Sequence, residues 1–215
     1  MTIHHHPSDD LLTAYATGLF AGAYRAAVAT HVHACAQCRG WVAALEYVGG
    51  EILETLPPAD LAQDALSRTL GRLGPSDSGK SAPNRPLAAS ELPSLPPVLR
   101  RRVTGSWRRI APGLQLRALA GPDAAGARVL LLRGRPGTRL LPHSHRGVEM
   151  SCVLRGGFTH GGGHFGPGDF DVGDETSVHR VTVDPGEDCV ALVVLEGKLR
   201  LTGLFGRVIE PFLRL

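Results

Sequence analysis

The chain has 215 residues, a net charge of +3 and a mean hydropathy close to zero, long enough for one large domain or two small ones. Its longest apolar runs, such as residues 190–195, are far too short to span a bilayer, and no signal-peptide layout follows Met1, so a cytoplasmic protein is expected. The positive charge gathers at Arg100, Arg101, Arg102, Arg108 and Arg109, short runs that read as a solvated face rather than a nucleic-acid surface.

Residues 1–73 read as a small all-α bundle. Ser8 can cap a helix whose first turn carries Asp9 and Asp10, where carboxylates favour the positive end of the helix dipole. Leu11, Leu12 and Tyr15 give it one apolar face, and Gly18 is its stop. An alanine-rich helix is predicted over 21–34. A third, starting near Cys38, presents Trp41, Leu45, Val48 and Ile52 at spacings of three and four, with Gly49 and Gly50 weakening its end. Pro57 and Pro58 break the chain. Asp60 can then cap a fourth helix with Leu61, Leu66, Leu70 and Leu73 on one side.

This helical part carries His31-x3-Cys35-x2-Cys38. Positions i and i+4 share a helix face, so His31 and Cys35 point the same way, and Cys38 can close on the same point. Zinc takes a tetrahedral shell of His nitrogen and Cys sulfur, and three ligands leave one vertex for a histidine from the N-terminal segment. His6 is best placed, because it lies nearest the Ser8 cap, whereas His4 and His5 sit further into a fraying end. His33 lies about 200° round the helix from His31 and faces elsewhere. Two other readings compete: a redox pair for Cys35 and Cys38, and a truncated tag for the three histidines. A tag has more histidines and a linker, while here Pro7 and a helix cap follow at once. A unit this small has little core, so zinc binding would supply folding energy, roughly 10–16 kcal/mol in finger peptides.

Between 74 and 97 the composition shifts to Gly, Pro, Ser and Ala with no periodic large apolar residues, which predicts a flexible linker. Residues 98–215 then read as all-β. Leu114, Leu116 and Ala118 alternate, as do Val181 and Val183, while 129–132, 150–154 and 190–195 are short buried runs. Turn signals such as Pro136-Gly137, Gly156-Gly157 and Pro167-Gly168-Asp169 punctuate them, the pattern of a sandwich or barrel. Cys152 and Cys189 read as small buried hydrophobes in strands.

The β part carries a second set of candidate ligands, Gly137-x5-His143-x-His145-x3-Glu149-x6-Gly156 followed by His179. His143 and His145 lie on one strand face, and Glu149 and His179 must come from other turns or strands. This spacing resembles the first cupin motif, with Gly168 and His179 resembling the second. The chain departs from the family pattern at Asp174, Thr176 and Val183, where Pro, Gly and Asn are favoured, changes that touch the loop more than the ligands. The resemblance implies a small β-barrel whose three histidines and glutamate hold a divalent metal in its interior, with Zn, Fe, Mn and Ni all compatible. His160 and His164, in a Gly-rich turn, are expected at the surface.

Together, the helical His/Cys unit, the linker and the cupin resemble the ChrR-type zinc anti-sigma factors. The stretch from Ser8 to Ala16, the stretch from Val28 through Cys38, and the ending at 211–215 carry that resemblance. It implies His6, His31, Cys35 and Cys38 as zinc ligands in the helical unit, and His143, His145, Glu149 and His179 as ligands of a second divalent metal. It also implies an extracytoplasmic-function sigma factor as partner, a barrel that responds to singlet oxygen or related oxidants, and neither DNA nor membrane contact. The alternatives are a cupin dioxygenase or isomerase with an accessory zinc unit, and a weaker one, a zinc-finger regulator, which lacks finger spacing and a basic recognition helix.

Overall fold

The computed structural model describes residues 2–20, 22–73, 95–100, 102, 103, 106–120, 126–145, 147–176, 178–197 and 199–201; for 98, 120, 145 and 199–201 it describes the backbone alone. Most of the expected linker, residues 74–94, lies outside the described residues, as do Arg101 and the ending at 211–215.

Helix α1 (Asp9–Ala16) begins as expected: Ser8 is extended, its Oγ accepts from the Leu11 amide at 3.4 Å, and Asp9 and Asp10 fill the first turn. Gly18, at φ +76°, ends it. Helix α2 (Gly22–Ala34) follows, and Cys35 then caps α3 (Ala36–Thr55), its Sγ accepting from the Cys38 amide at 3.5 Å. Helix α3 runs straight through Gly49 and Gly50. Both face open space, so they cost helix propensity without breaking the helix. Helix α4 (Ala65–Arg72) starts later than expected. A turn closed by the Ala65 amide on the Ala62 carbonyl occupies the stretch after Asp60, so Asp64, not Asp60, stands at its N-cap. A short α5 (Pro97–Arg100) follows, with Leu95, Leu99 and Val103 buried, so the end of the expected linker is packed into the core.

The β part has strands β1 (Arg108–Ala111), β2 (Leu114–Ala120), β3 (Arg128–Gly134), β4 (His143–His145), β5 (Glu149–Arg155), β6 (Phe158–His160), β7 (Gly163–Phe165), β8 (Phe170–Gly173), β9 (Thr182–Val183), β10 (Cys189–Leu195) and β11 (Leu199–Leu201). An antiparallel sheet of order β1-β2-β3-β10-β5-β8 faces two smaller ones, β7-β6-β9 and β11-β4. They enclose a cavity of about 530 Å³.

Why β10 is apolar at nearly every position follows from its two faces. Cys189, Ala191, Val193 and Leu195 line the cavity, while Val190, Leu192 and Val194 point the other way into a core shared with the helices. Neighbouring strands repeat this: Leu130 and Leu132 face the cavity, Val129 and Leu131 the helices. A strand covered on both faces loses its polar alternation.

Helix α2 covers that second face, touching β3, β5 and β10. Its alanines explain the close approach: Ala23, Ala26, Ala27 and Val28 are buried, with Ala27 and Val28 wholly so. Thr30, also wholly buried, satisfies its hydroxyl by donating to the Ala26 carbonyl at 2.7 Å. A second tie is the hydrogen bond from the Tyr24 hydroxyl on α2 to the Glu196 carboxylate beyond β10. The helical part and the barrel therefore share one hydrophobic core. Sequence predicts two units on a flexible tether; the small residues of α2 dock one onto the other.

Replacing Ala27 with Leu should overpack this interface and destabilise the chain by about 1–3 kcal/mol. Urea denaturation should show helix and sheet signals moving together in one transition. A shift confined to the helical signal would show that the core is not shared.

Candidate metal centres

Four side chains meet at the corner between α2 and α3: His6, His31, Cys35 and Cys38, whose ligand atoms all lie within 4.8 Å of one another. His31 Nε2 is 3.2 Å from Cys38 Sγ and 3.4 Å from His6 Nδ1. His6 Nδ1 is 3.3 Å from Cys38 Sγ and 3.6 Å from Cys35 Sγ. A tetrahedron with ordinary Zn–N and Zn–S bonds has edges of about 3.3 Å between nitrogens and about 3.6 Å between nitrogen and sulfur. The observed spacings match that shell, so the residues present fit zinc.

The surroundings prepare them for it. His31 is wholly buried, and its Nδ1–H donates to the Gly168 carbonyl at 2.8 Å, which leaves the Nε2 lone pair aimed at the thiols. Burial lowers the His31 imidazole to about 4, so at neutral pH it is uncharged and ready to ligate. Burial, together with the neighbouring Cys35, pushes the Cys38 thiol up to about 12. A cation at the centre of the cluster is what would favour the thiolate there. The N-terminal segment is packed rather than frayed: Pro7 is buried, and the His4 and His5 amides donate to Asp169 Oδ1 at 2.7 and 2.9 Å. His5 stays out of the cluster and stacks on Phe165 at 4.2 Å; His33 is exposed.

The second set converges in part. An isolated bridge pairs the backbones of His143 and His179, each amide donating to the other's carbonyl. This sets the rings opposite each other with their Nε2 atoms 2.9 Å apart. His143 Nδ1–H donates to the Leu141 carbonyl at 2.7 Å, again directing Nε2 inward. Glu149 lines the same cavity, where desolvation and the nearby Asp171 carboxylate push it up to about 8. Burial lowers His143, and lowers His179 to about 4. His145 lies on β4, two residues from His143; its side chain is outside the described residues. His143 and His179 thus present two neutral imidazoles to the cavity that Glu149 also lines, while among the described residues only His6, His31, Cys35 and Cys38 bring three or more ligand atoms together at metal-binding spacing. The departures from the cupin pattern are absorbed locally: Asp174 Oδ1 accepts from the Thr176 amide and hydroxyl, and Val183 is buried against β6.

Three residues escape the sequence reading. His160, expected at the surface, has a side chain only 10% exposed, with Nε2 3.0 Å from Asp171 Oδ2 and its ring 5.4 Å from that of His179. The signal was the alternation on β6, which puts His160 on the inward face with buried Phe158. Asp171 lines the cavity beside it, and Asp169 holds the N-terminal segment. His164 is exposed as expected, paired with Asp184 at 2.6 Å. Cys152 and Cys189 are buried free thiols in strands; burial pushes both up, Cys189 to about 12.

Comparison with known proteins gives concordant findings. The family profile of the ChrR cupin-like domain matches residues 99–199. The chain is 33% identical over 221 residues to the anti-sigma-E factor ChrR of Cereibacter sphaeroides, with both chains covered completely. It also matches a chain in the crystal structure of Rhodobacter sphaeroides SigE in complex with the anti-sigma ChrR, with a TM-score of 0.70 and 31% identity, covering 90% of this chain and 99% of that one. Among the described residues, no helix is long and apolar enough to cross a membrane.

Cys38→Ser should take the helical centre from about one bound zinc to nearly none, because a buried hydroxyl does not replace a thiolate ligand. Metal analysis after dialysis checks this. Full zinc content in that variant would remove Cys38 from the shell.

Proposed function

This chain belongs to the ChrR family, and we propose that it is a zinc-dependent anti-sigma factor that binds an extracytoplasmic-function sigma factor and withholds it from RNA polymerase. The observation that carries this reading is an apolar stripe that the fold leaves bare. On α3, Trp41, Val48 and Ile52 lie along one face, with Leu56 at the extended C-cap just beyond, and all four are about half exposed or more, Trp41 at 48% and Ile52 at 58%. On α4, Leu66 and Leu70 are likewise exposed. A helix that spends large apolar residues on solvent is built to lay them in a partner's groove.

In this reading residues 1–73 form the inhibitory unit, 74–97 the connection and 98–215 the sensing barrel. His6, His31, Cys35 and Cys38 hold zinc, which supplies a cross-link between the N-terminal segment and the α2–α3 corner and so fixes the direction in which α3 presents its stripe. His143, His145, Glu149 and His179 hold a second divalent metal in the cavity, Zn, Fe, Mn or Ni by donor type. The barrel answers an oxidant such as singlet oxygen or an organic peroxide, and the protein acts in the cytoplasm without catalysing a reaction. The cavity's separation from the stripe supports this division: it lies on the opposite face of the main sheet from α2. A signal there can release the partner only by favouring one state of the chain over another.

Ile52→Glu should weaken sigma-factor binding by at least about 30-fold, the scale of losing an interface hot spot, while zinc content stays normal. Calorimetric titration and metal analysis on one preparation check both; undiminished binding would mean the stripe is not the docking face. His143→Ala should leave basal repression in place and blunt induction by singlet oxygen or peroxide, since its ring faces the cavity. The readout is a reporter on a promoter of the partner sigma factor, and normal induction in a variant shown to lack the cavity metal would end the sensing role of that site.

A further inference from the structure

Residues 168–171, running from the turn after β7 into β8, touch both the His6, His31, Cys35 and Cys38 cluster and the barrel cavity. Gly168 supplies the carbonyl that fixes His31 at 2.8 Å. Asp169 accepts the amides of His4 and His5 on Oδ1 and that of Gly166 on Oδ2, at 2.7, 2.9 and 2.8 Å. Phe170 donates its amide to the His5 carbonyl at 3.0 Å, and its ring meets that of His31 edge-on at 5.8 Å. Asp171, next along, lines the barrel cavity and pairs with His160. From this run we infer that Asp169 is a positioning residue for the zinc centre: the barrel grips the segment that carries His6, and thereby sets how firmly the helical unit keeps its metal.

Geometry makes the grip specific. Asp169 is buried, at 3% exposure, on a turn held by its own hydrogen bond to Gly166 and by the Gly168 amide donating to Val153 at 2.8 Å. Burial works against its charge, and the amides of His5, Gly166 and His4 more than offset it, keeping the carboxyl below its ordinary range. Gly168 sits at φ +92°, and a Cβ there would fall within 2.5 Å of Ile3 Cδ1. Backbone conformation and the close approach of Ile3 thus both require glycine. His6 comes one residue after the last amide that Asp169 holds, so freeing this segment gives His6 back the conformational freedom that its place in the shell removes. Groups outside the shell that orient ligands in this way typically change metal affinity by about 10–100-fold. The inference rests on the zinc reading of the His6, His31, Cys35 and Cys38 centre, and it adds a control point in the other half of the molecule.

The test uses the full chain carrying Cys189→Ala, which removes the one thiol lining the cavity among the described residues, loaded with Co²⁺ so that the thiolate charge-transfer band reports the Cys35 and Cys38 centre, followed by Zn²⁺ competition against a chromophoric chelator. Asp169→Ala should weaken zinc binding by about 10–100-fold and alter the cobalt ligand-field spectrum as His6 yields to water, with the thiolate band retained. Asp184→Ala, an equal charge change on the same barrel at the His164 pair, should stay within about twofold of this parent chain, as expected for a partly exposed pair. Ile3→Ala loosens the same segment without substituting a barrel residue and should shift affinity in the same direction, so it decides the matter if Asp169→Ala fails to fold. Parent affinity in Asp169→Ala, or in Ile3→Ala where the first variant does not fold, would overturn the inference alone. Absence of the thiolate band in the parent chain would overturn the zinc centre and the inference with it.

Discussion

One buried imidazole links the parts of this molecule. His31 has no solvent exposure, gives its Nδ1–H to a barrel carbonyl and turns Nε2 toward Cys38 and His6. A buried imidazole in a shell with thiols must be neutral and correctly oriented: burial secures the first and the Gly168 carbonyl the second. The helix that carries His31 is also the one that closes the sheet. The metal centre, the shared core and the barrel's hold on the N-terminal segment therefore stand or fall together.

The sheet works as a partition. Its outer face is sealed by the small residues of α2, its inner face by the cavity, and alternate residues of β3, β5 and β10 serve one side or the other. This places the cavity one strand's thickness from the helical unit while keeping the two sites chemically apart. Residues 168–171 touch His31 and the N-terminal segment at one end and the cavity at the other. The apolar stripe of α3 is left to the partner.

Much of this was legible in the chain. The Ser8 cap, the alternating strands and the His31, Cys35, Cys38 spacing are local patterns with local causes, and the structure keeps them. His6 could be picked among three histidines because Pro7 and the cap fix its distance from the corner. What escaped was non-local. Nothing near Ala27 announces that its methyl will meet a strand more than a hundred residues away, and alanine-rich helices read the same whether docked or free. The Asp169 contacts lie 164 and 165 residues apart in sequence, and no periodicity encodes them. The misplaced cap at Asp60 came from a turn that consumed the next four residues. His160 was hidden by its glycine neighbours, which suggested a surface loop where the chain forms a tight hairpin between β6 and β7.

The central claim is that a metal-fixed helical corner presents a sigma-binding face. Its most direct test is a binding titration of the full chain against its partner sigma factor, zinc-loaded, then chelator-stripped, then reloaded. The account predicts tight binding when loaded, a loss of at least about 100-fold on stripping, because the metal free energy that orders the corner is withdrawn, and recovery on reloading. Equal affinity in all three states, with metal removal verified, would contradict it.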